Sequence, residues 1–304
     1  MPDRRTTLAE DRAYRLKKEE EPAAGIERIA AGRAEKAIEE LRGAGGDGDL
    51  AEAIHSARKD LKKLRAVLRL VRGELGKGRF RAENRRYREA ARRLSASRDA
   101  EIKLETLTAL EQRFDGELPA ASLGEWKGAL SRERAGSTAV GQLAGRIECA
   151  LGEVEAGREE IGRWRLSIKS WDPLAPGIER AYGRGRRAMK QAGARRETED
   201  VHEWRKRVKD LWYQLRIVRE AWPPVTGALA DQAHGLAELL GEHHDLAVLR
   251  ADLEGRRQLP DAKALAAAID GRQGELLDEA LGLGARIYAE KPAVFRRRLC
   301  AYWR

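Results

Sequence analysis

Apolar positions in this chain recur mostly three or four residues apart, over long stretches that short clusters of Gly, Pro and Asp interrupt. That period is typical of amphipathic helices, whereas half-buried strands would alternate polar and apolar residues. The clearest interruptions are RGAGGDGD, FDGELPA, SWDPLAPG and AWPPVTG, which begin at Arg42, Phe114, Ser170 and Ala221. The pattern predicts an all-α protein whose helices end at these breaks.

Composition agrees with this fold class. Charged residues make up 36% of the 304 residues and aromatic residues 5%, and Ala, Leu, Glu, Arg and Lys predominate, which favours helices. The two cysteines, Cys149 and Cys300, lie far apart and form no disulfide or thiolate-metal motif. The N-terminus lacks an apolar leader and no run of about 18 apolar residues occurs, so we expect a cytoplasmic protein that does not enter a membrane.

Two basic segments of the sequence are copies of one another. IHSARKDLKKLRAVLRLVR, from Ile54, aligns without gaps on VHEWRKRVKDLWYQLRIVR, from Val201, with nine identities in nineteen positions. Upstream, GIER at Gly25 recurs at Gly177, and downstream LSASRDAEI from Leu94 corresponds to LGEHHDLAV in the second half. The same order of pieces in both halves predicts a tandem duplication.

This duplication predicts the domain organisation. Residues 1–22 form a charged N-terminal tail, which we expect to be frayed or loosely docked, and residues 23–304 form one domain. Its first repeat covers about residues 23–169 and its second about residues 173–304, each with room for about four helices. We therefore expect two helical bundles related by an internal pseudo-twofold axis.

As a helix, each basic segment has one apolar face and one cationic face. The first copy holds seven Lys/Arg and one acid and the second six and two, so together they account for the whole net charge of +10. A solvated face explains one basic helix, but not the same cations at the same positions in two. The cationic faces consist of His55, Arg58, Lys59, Lys62 and Arg69 in the first copy and His202, Arg205, Lys206, Lys209 and Arg216 in the second.

If the pseudo-twofold axis brings these faces together, they line a groove or channel. Arginine can bind phosphate oxygens bidentately, lysine contributes a point charge, and a histidine near neutral pH can donate from one or both nitrogens. Such a lining suits a linear polyanion, which is the expected partner.

Other types of site are less well supported. His234, His243 and His244 beside Asp245 suit a transition metal, but the first copy lacks this cluster and adjacent histidines point to different sides of a helix. An exposed imidazole could accept a phosphoryl group, which requires a partner kinase. The sequence shows no nucleophile beside a base and no Walker-type loop. We predict no catalytic residue, no metal and no cofactor.

Nucleic acid is the strongest competing partner, because a groove for polyanions can also hold a phosphodiester backbone. Single-strand binders interleave cations with aromatic side chains that stack on bases. Here Trp204 falls on the packing face, and only Trp212 and Tyr213 come near the cationic face. This favours a bare phosphate chain over nucleic acid. A third alternative is a structural protein that coats a phosphate-rich body through the same cationic faces.

The sequence resembles a known family. In the second half, PGIERAYGRGRRAM, VHEWRKRVKDLWYQL and LLGEHHDLAVL follow in order the pattern of the CHAD family, the conserved histidine α-helical domain, and the first half carries a degenerate version. The resemblance covers about residues 23–304. It implies a helical module with twofold pseudo-symmetry that binds inorganic polyphosphate in a basic channel, in some members on polyphosphate granules. No EXEXK-like motif of the triphosphatase domain often fused to it is present, so we expect a stand-alone protein.

Carried over position by position, the resemblance implies that both cationic faces bind polyphosphate without catalysis, in the cytoplasm or on granules. The first copy has Arg98 and Asp99 where the second has His244 and Asp245, so the halves are not expected to contribute equally there. We expect Asp99 and Asp245 to orient neighbouring Arg or His residues. The resemblance also adds four arginines that precede the basic segments, Arg28, Arg180, Arg184 and Arg187.

Overall fold

The computed structural model describes residues 12–44, 50–94, 99–136, 140–256 and 258–303. Within these residues the chain forms eleven α-helices, one short 3-10 helix and no strand, which confirms the all-α prediction. The helices are α1 (Pro22–Gly43), α2 (Leu50–Leu70), α3 (Arg72–Arg93), α4 (Asp99–Arg113), α5 (Ala120–Gly136), α6 (Val140–Ile161), α7 (Ala175–Arg195), α8 (Thr198–Ile217), α9 (Pro223–Gly255), α10 (Ala262–Ile287) and α11 (Pro292–Tyr302), with the 3-10 helix at Arg219–Ala221.

The four predicted breaks all fall between helices. FDGELPA joins α4 to α5 and contains two residues with positive φ, Asp115 and Gly116, of which glycine adopts that conformation without steric cost. Helices α7 and α9 each have a proline in the first turn, where the missing N–H would have no intrahelical partner. Residues 45–49 of the first break lie outside the described residues.

The larger hydrophobic core lies beneath the two basic helices. Helix α1 packs on α2, α7 packs on α8, α3 packs on α6, and α8 also packs on α9. The apolar face of each basic helix is buried here, as the helical period predicts. Its members are Ile54, Ala57, Leu61, Leu64, Leu68 and Val71 in the first copy and Val201, Trp204, Val208, Leu211, Leu215 and Val218 in the second.

A second, smaller core joins α4 and α5 to the C-terminal half of α9 and the N-terminal part of α10. Trp126 of α5 is fully buried in it, and its indole Nε1 donates to Asp252 Oδ2 on α9 at 2.9 Å. Lys103 Nζ and Arg256 Nε also donate to this carboxylate, at 2.7 and 2.6 Å. These bonds satisfy a largely buried acid and hold α4, α5 and α9 in one register.

The helices outnumber the four or so expected for each repeat. Six lie in the first predicted range and five in the second. The halves also interlock, because α4 and α5 of the first bury their apolar faces against α9 and α10 of the second. A pair of amphipathic helices cannot bury both apolar faces alone and needs a neighbouring element. The duplication is therefore visible in the sequence, but the two halves do not form separate cores, because helices of one half pack against helices of the other.

Residues 12–21 pack on the core, contrary to the expectation of a loose tail. Leu16 has no exposed surface and Tyr14 is also buried. The Leu16 N–H donates to the Ile217 carbonyl at 2.8 Å, and the Tyr14 hydroxyl donates to the Lys63 carbonyl at 3.1 Å. We call residues 12–21 the N-terminal strap. Two apolar residues in a charged segment give too little periodicity to predict this docking. Residues 1–11 of the predicted tail lie outside the described residues.

Helix length and hydrophobicity also bear on the membrane prediction. Among the described residues, no helix is both long enough and apolar enough to span a bilayer.

The start of α7 comes unusually close to the end of α2. A Cβ atom built on Gly177 would lie 2.2 Å from the Leu70 carbonyl oxygen, so only glycine permits this approach. We expect Gly177→Ala to lower the free energy of unfolding by about 1–3 kcal/mol or more, because two backbones must separate. Gly235→Ala is the control, since an added methyl there meets no atom within 4 Å and should be neutral or mildly stabilising. Urea unfolding compares the two variants, and equal stabilities would contradict the close approach.

Candidate functional site

The cationic faces of α2 and α8 meet where these helices pack together. The charges of Lys209, Arg58 and Arg205 all act on Lys62, so two cations from each helix form one group. We call Arg58, Lys62, Arg205 and Lys209 the central cluster. Its members are matched by the internal repeat, Arg58 with Arg205 and Lys62 with Lys209. The structure thus brings the two predicted faces together at their middle.

Both lysine amines of the central cluster are electrostatically strained. The pKa of Lys62 and the pKa of Lys209 are each lowered to about 8, mainly because burial disfavours the charged ammonium and further because neighbouring cations repel it. Lys62 is nevertheless exposed and Lys209 is partly buried, so both side chains remain accessible to solvent. An anion that reached the cluster would relieve this repulsion.

Asp245, on α9, lies beside the central cluster. Partial burial raises its pKa, while the charges of Arg205 and Lys209 act to lower it. One turn earlier, Gly241 makes room for the arginine, since a Cβ there would lie 3.4 Å from Arg205 Nη2. This placement suits the predicted orienting role of Asp245, which stays a prediction. Its counterpart in the first copy cannot be compared, because Arg98 and the Asp99 side chain lie outside the described residues.

The histidines of the second half have separate neighbours. His202 packs against His244, with 4.1 Å between ring centroids. Burial lowers the pKa of His202, and burial with the charge of its neighbours lowers the pKa of His244 to about 4, so both rings are neutral at pH 7. His243 is buried, and His234 lies against Trp212. Within the described residues no cluster of three or more His, Cys, Asp or Glu is arranged to hold a metal ion.

Arg69 and Arg216, which the repeat matches, have different partners. Arg69 Nη1 pairs with Asp210 Oδ1 at 2.9 Å. The Arg216 guanidinium lies over the rings of Tyr14 and Trp212, at 5.4 and 5.6 Å from their centroids. Both arginines are partly buried. One matched arginine is thus held by a carboxylate and the other by aromatic rings, so the two positions are not equivalent.

Five further predicted residues lie away from the central cluster or at its margin. Lys59, Lys206 and Arg187 are exposed, and Lys206 Nζ lies 3.6 Å from Glu203 Oε2. His55 is partly buried on α2. The fifth, Arg28, binds the N-terminal strap, where its Nε and Nη2 donate to the Glu20 carboxylate at 2.9 and 2.6 Å.

The last two predicted arginines, Arg180 and Arg184, line a cavity of about 280 Å³ between α2, α3, α7 and α8. Asp210 is the acidic residue of this lining, and it pairs with two of the arginines. Among the described residues, neither Arg180 nor Arg184 has a hydrogen bond or ion pair. We call this cavity the arginine pocket, and its arginines are Arg69, Arg72, Arg180, Arg184 and Arg207.

Three arginines of the site were missed by the sequence interpretation. Arg72 is one of the nine identities between the basic segments, and that signal could have identified it. Arg207 aligns with Asp60 and Arg65 with Trp212, so comparison of the repeats excludes both. Arg65 links the two parts of the site: its charge acts on Lys62, and burial and the charge of Arg69 lower its own pKa to about 10.

These features define a class of protein: an all-helical body in which two repeated helices place their cations together at the centre. The chain belongs to the CHAD family, because the model of the CHAD domain matches residues 28–254. The crystal structure of the CHAD domain from the plant Ricinus communis is similar over 94% of this chain and 94% of that one, with a TM-score of 0.55 and 18% sequence identity. At that identity the similarity concerns the fold. No curated protein matches the chain.

Proposed function

We propose that this protein binds inorganic polyphosphate at the central cluster. The observation that carries the proposal is the convergence of Lys62 and Lys209, from two repeated helices, into one group with Arg58 and Arg205. Folding gains nothing from placing like charges together, since burial and, in addition, repulsion by neighbouring cations lower the pKa of both amines. Polyphosphate carries a negative charge on every phosphate, so consecutive phosphates can neutralise the neighbouring cations of the cluster and offset the cost of placing them together. Membership of the CHAD family supports the same ligand.

Nucleic acid is the second candidate, and the aromatic residues near the cluster argue against it. Tyr213 is buried, and Trp212 stacks on it with 4.6 Å between ring centroids. Trp212 also contacts His234 and Arg216. Rings engaged in this way offer no stacking platform for bases, on which single-strand binders depend. A bare phosphate chain needs no such platform.

We further propose that the protein binds without turnover. The central cluster consists of cations, with imidazoles beside it and the carboxylates of Asp245, Glu238 and Glu242 nearby. Among the described residues these carboxylates form no group that could hold a metal ion, whereas phosphoryl transfer typically uses carboxylates to hold metal ions or a base to activate a nucleophile. Incubation with polyphosphate and Mg²⁺ should therefore release no phosphate above the buffer control. In cells the same binding would place the protein on polyphosphate-rich bodies in the cytoplasm, and fluorescence of a tagged chain would reveal this.

Calorimetric titration tests the ligand directly. Long-chain polyphosphate should bind tightly at about physiological ionic strength, with single-stranded DNA and orthophosphate as matched titrants. Clearly tighter binding of polyphosphate would support the proposal. Equal binding of DNA would reduce it to general polyanion binding, and no binding of any titrant would refute it.

The affinity for polyphosphate should fall as pH rises from 7 to 9. In the free protein Lys62 and Lys209 have pKa values of about 8, so both lose their protons over this interval, and binding must then take up protons again. The expected loss is roughly 10- to 100-fold for two sites that titrate one unit below pH 9. Titration at pH 7, 8 and 9 at constant ionic strength measures it. A constant affinity would exclude the two amines from the site. Because the pKa of His202 is lowered, any gain from histidine protonation should appear only in more acidic buffer.

A further inference from the structure

The N-terminal strap and the arginine pocket occupy places that the internal repeat matches. GIER at Gly25 aligns with GIER at Gly177, and the basic segments align from His55 and His202. By these two alignments, residues that line the arginine pocket have counterparts in the other half. Several of the counterparts contact the strap. The matched pairs are Gly177 with Gly25, Arg180 with Arg28, Arg184 with Gly32, Arg69 with Arg216, and Asp210 with Lys63.

Each of these counterparts meets the strap directly. A Cβ on Gly25 would lie 2.6 Å from Leu16 Cδ2, and one on Gly32 would lie 3.4 Å from the Arg12 backbone. The Arg216 guanidinium lies over the Tyr14 ring, and the Tyr14 hydroxyl donates a hydrogen bond to the Lys63 carbonyl. The strap therefore fills the place that corresponds to the open arginine pocket.

Oxygen atoms of the strap surround the Arg28 guanidinium as an anion would. The Glu20 carboxylate accepts hydrogen bonds from Arg28 Nε and Nη2 at 2.9 and 2.6 Å, which is the bidentate geometry typical of arginine with oxyanions. The carbonyls of Ala13 and Arg15 accept hydrogen bonds from Arg28 Nη1 and Nη2 at 3.1 and 2.9 Å. The matched arginine in the other half, Arg180, has no such oxygens among the described residues.

Charge also separates the two places. The lining of the open pocket holds five guanidinium groups and one carboxylate, that of Asp210, and Glu203 pairs with Arg207 beside it at 3.0 Å. At the place that the strap fills, the counterpart of Arg207 is Asp60 and the counterpart of Arg184 is Gly32. Asp60 pairs with Arg33 at 3.1 Å and with Lys63 at 2.9 Å. One place is thus closed and internally neutralised, while the other stays open and cationic.

We propose that the polyphosphate groove has a single anion-receiving end, the arginine pocket, which holds the terminal phosphates of the chain. At the matched place the strap is a permanent occupant that stands in for the anion. The inference rests on the proposed function. Arg65 supplies continuity, since its charge acts on Lys62 at the centre and it neighbours Arg69 in the pocket. A cavity of about 280 Å³ is close to the lower end of the ~300–1,000 Å³ usual for small-molecule sites, which is room for a few phosphates, and its lining of arginines favours a group with negative charge.

Tripolyphosphate is the probe for this end site. Calorimetry should give one tripolyphosphate per chain, and Arg180→Ala with Arg184→Ala should weaken it at least tenfold. The control, Arg132→Ala with Arg286→Ala, removes the same charge from two exposed arginines and should change affinity less than twofold. Two bound tripolyphosphates per chain, or an affinity that the pocket variant leaves unchanged, would overturn the proposal.

A variant of the central cluster separates this inference from the proposed function. Lys62→Met with Lys209→Met should weaken long-chain polyphosphate binding at least tenfold while retaining most tripolyphosphate binding. If long chains do not bind the unaltered protein at all, the proposed function fails, and the pocket is still judged by its own variant. If the cluster variant abolishes tripolyphosphate binding while the pocket variant does not, the end site is wrong.

Hydrogen exchange of the unaltered chain tests the strap. The Leu16 amide is bonded to the Ile217 carbonyl and should stay protected when tripolyphosphate or long-chain polyphosphate is added to saturation, because the ligand enters the other place. Loss of that protection on adding either ligand would show that the strap is displaced and would refute its permanent role.

Discussion

Replacing the two central lysines, Lys62→Met with Lys209→Met, is expected to weaken binding of long-chain polyphosphate at least tenfold without lowering the stability of the fold. A charge-assisted hydrogen bond contributes about 1.5–3 kcal/mol, and 1.4 kcal/mol is already a factor of ten in affinity. Methionine keeps much of the aliphatic length that packs beside the helix. Because burial and neighbouring cations lower the pKa of both amines, removing them relieves a desolvation cost and a repulsion, so the free energy of unfolding should stay constant or rise.

Calorimetry and urea unfolding measure the two halves of this expectation. The matched control is Lys190→Met with Lys263→Met, which removes two exposed lysines from α7 and α10 and changes the net charge equally. Its affinity should stay within about twofold of the unaltered protein, since exposed charges away from a site act only through a screened field. If both pairs weaken binding alike, net charge and not the central cluster holds the ligand. If the central pair unfolds the protein, its lysines are structural.

Salt is expected to have the second large effect. Each phosphate that a cation neutralises releases condensed counterions, with a slope of about 0.7 per contact in a logarithmic plot for single-stranded polyanions. Four contacts at the central cluster contribute about 2.8 to the slope, and phosphates held in the arginine pocket add to it, so raising salt from about 50 to 200 mM should weaken polyphosphate binding roughly 50-fold or more. Titrations at four salt concentrations determine the slope.

The lysine variants provide the internal check on this slope. Lys62→Met with Lys209→Met removes two contacts and should lower the slope by about 1.4, whereas Lys190→Met with Lys263→Met should leave it unchanged. A slope that is the same in all three proteins would place the ligand elsewhere. An affinity that does not depend on salt would contradict binding through ionic contacts altogether.

Helical structure and the apolar faces followed from local pattern. All twelve apolar positions assigned to the packing faces of the two basic helices are buried, because a 3.6-residue period fixes which side of a helix can meet a core. The breaks were predictable for a similar reason, since Gly and Pro limit helices through their own backbone geometry. Pairing of helices was not: that α4 and α5 pack on α9 and α10 depends on surfaces distant in sequence.

Cationic residues show the same division. Comparison of the repeats predicted Arg58, Lys62, Arg205 and Lys209, which the structure gathers in one group. The family resemblance added Arg28, whose guanidinium binds Glu20 of the strap, because a matched position conveys residue type and not neighbours. Arg207 escaped prediction because its counterpart is an aspartate, yet it lines the arginine pocket with residues from three other helices.

By itself, the sequence determined that this protein is helical and duplicated, and which face of each repeated helix carries charge, since those properties depend on residues a few positions apart. Tertiary structure alone decided which charges meet, how far burial lowers their pKa values, and that the strap fills one of two matched places while the other stays open. Those outcomes depend on distances between residues more than a hundred positions apart and on the water that packing excludes between them, neither of which a local pattern contains.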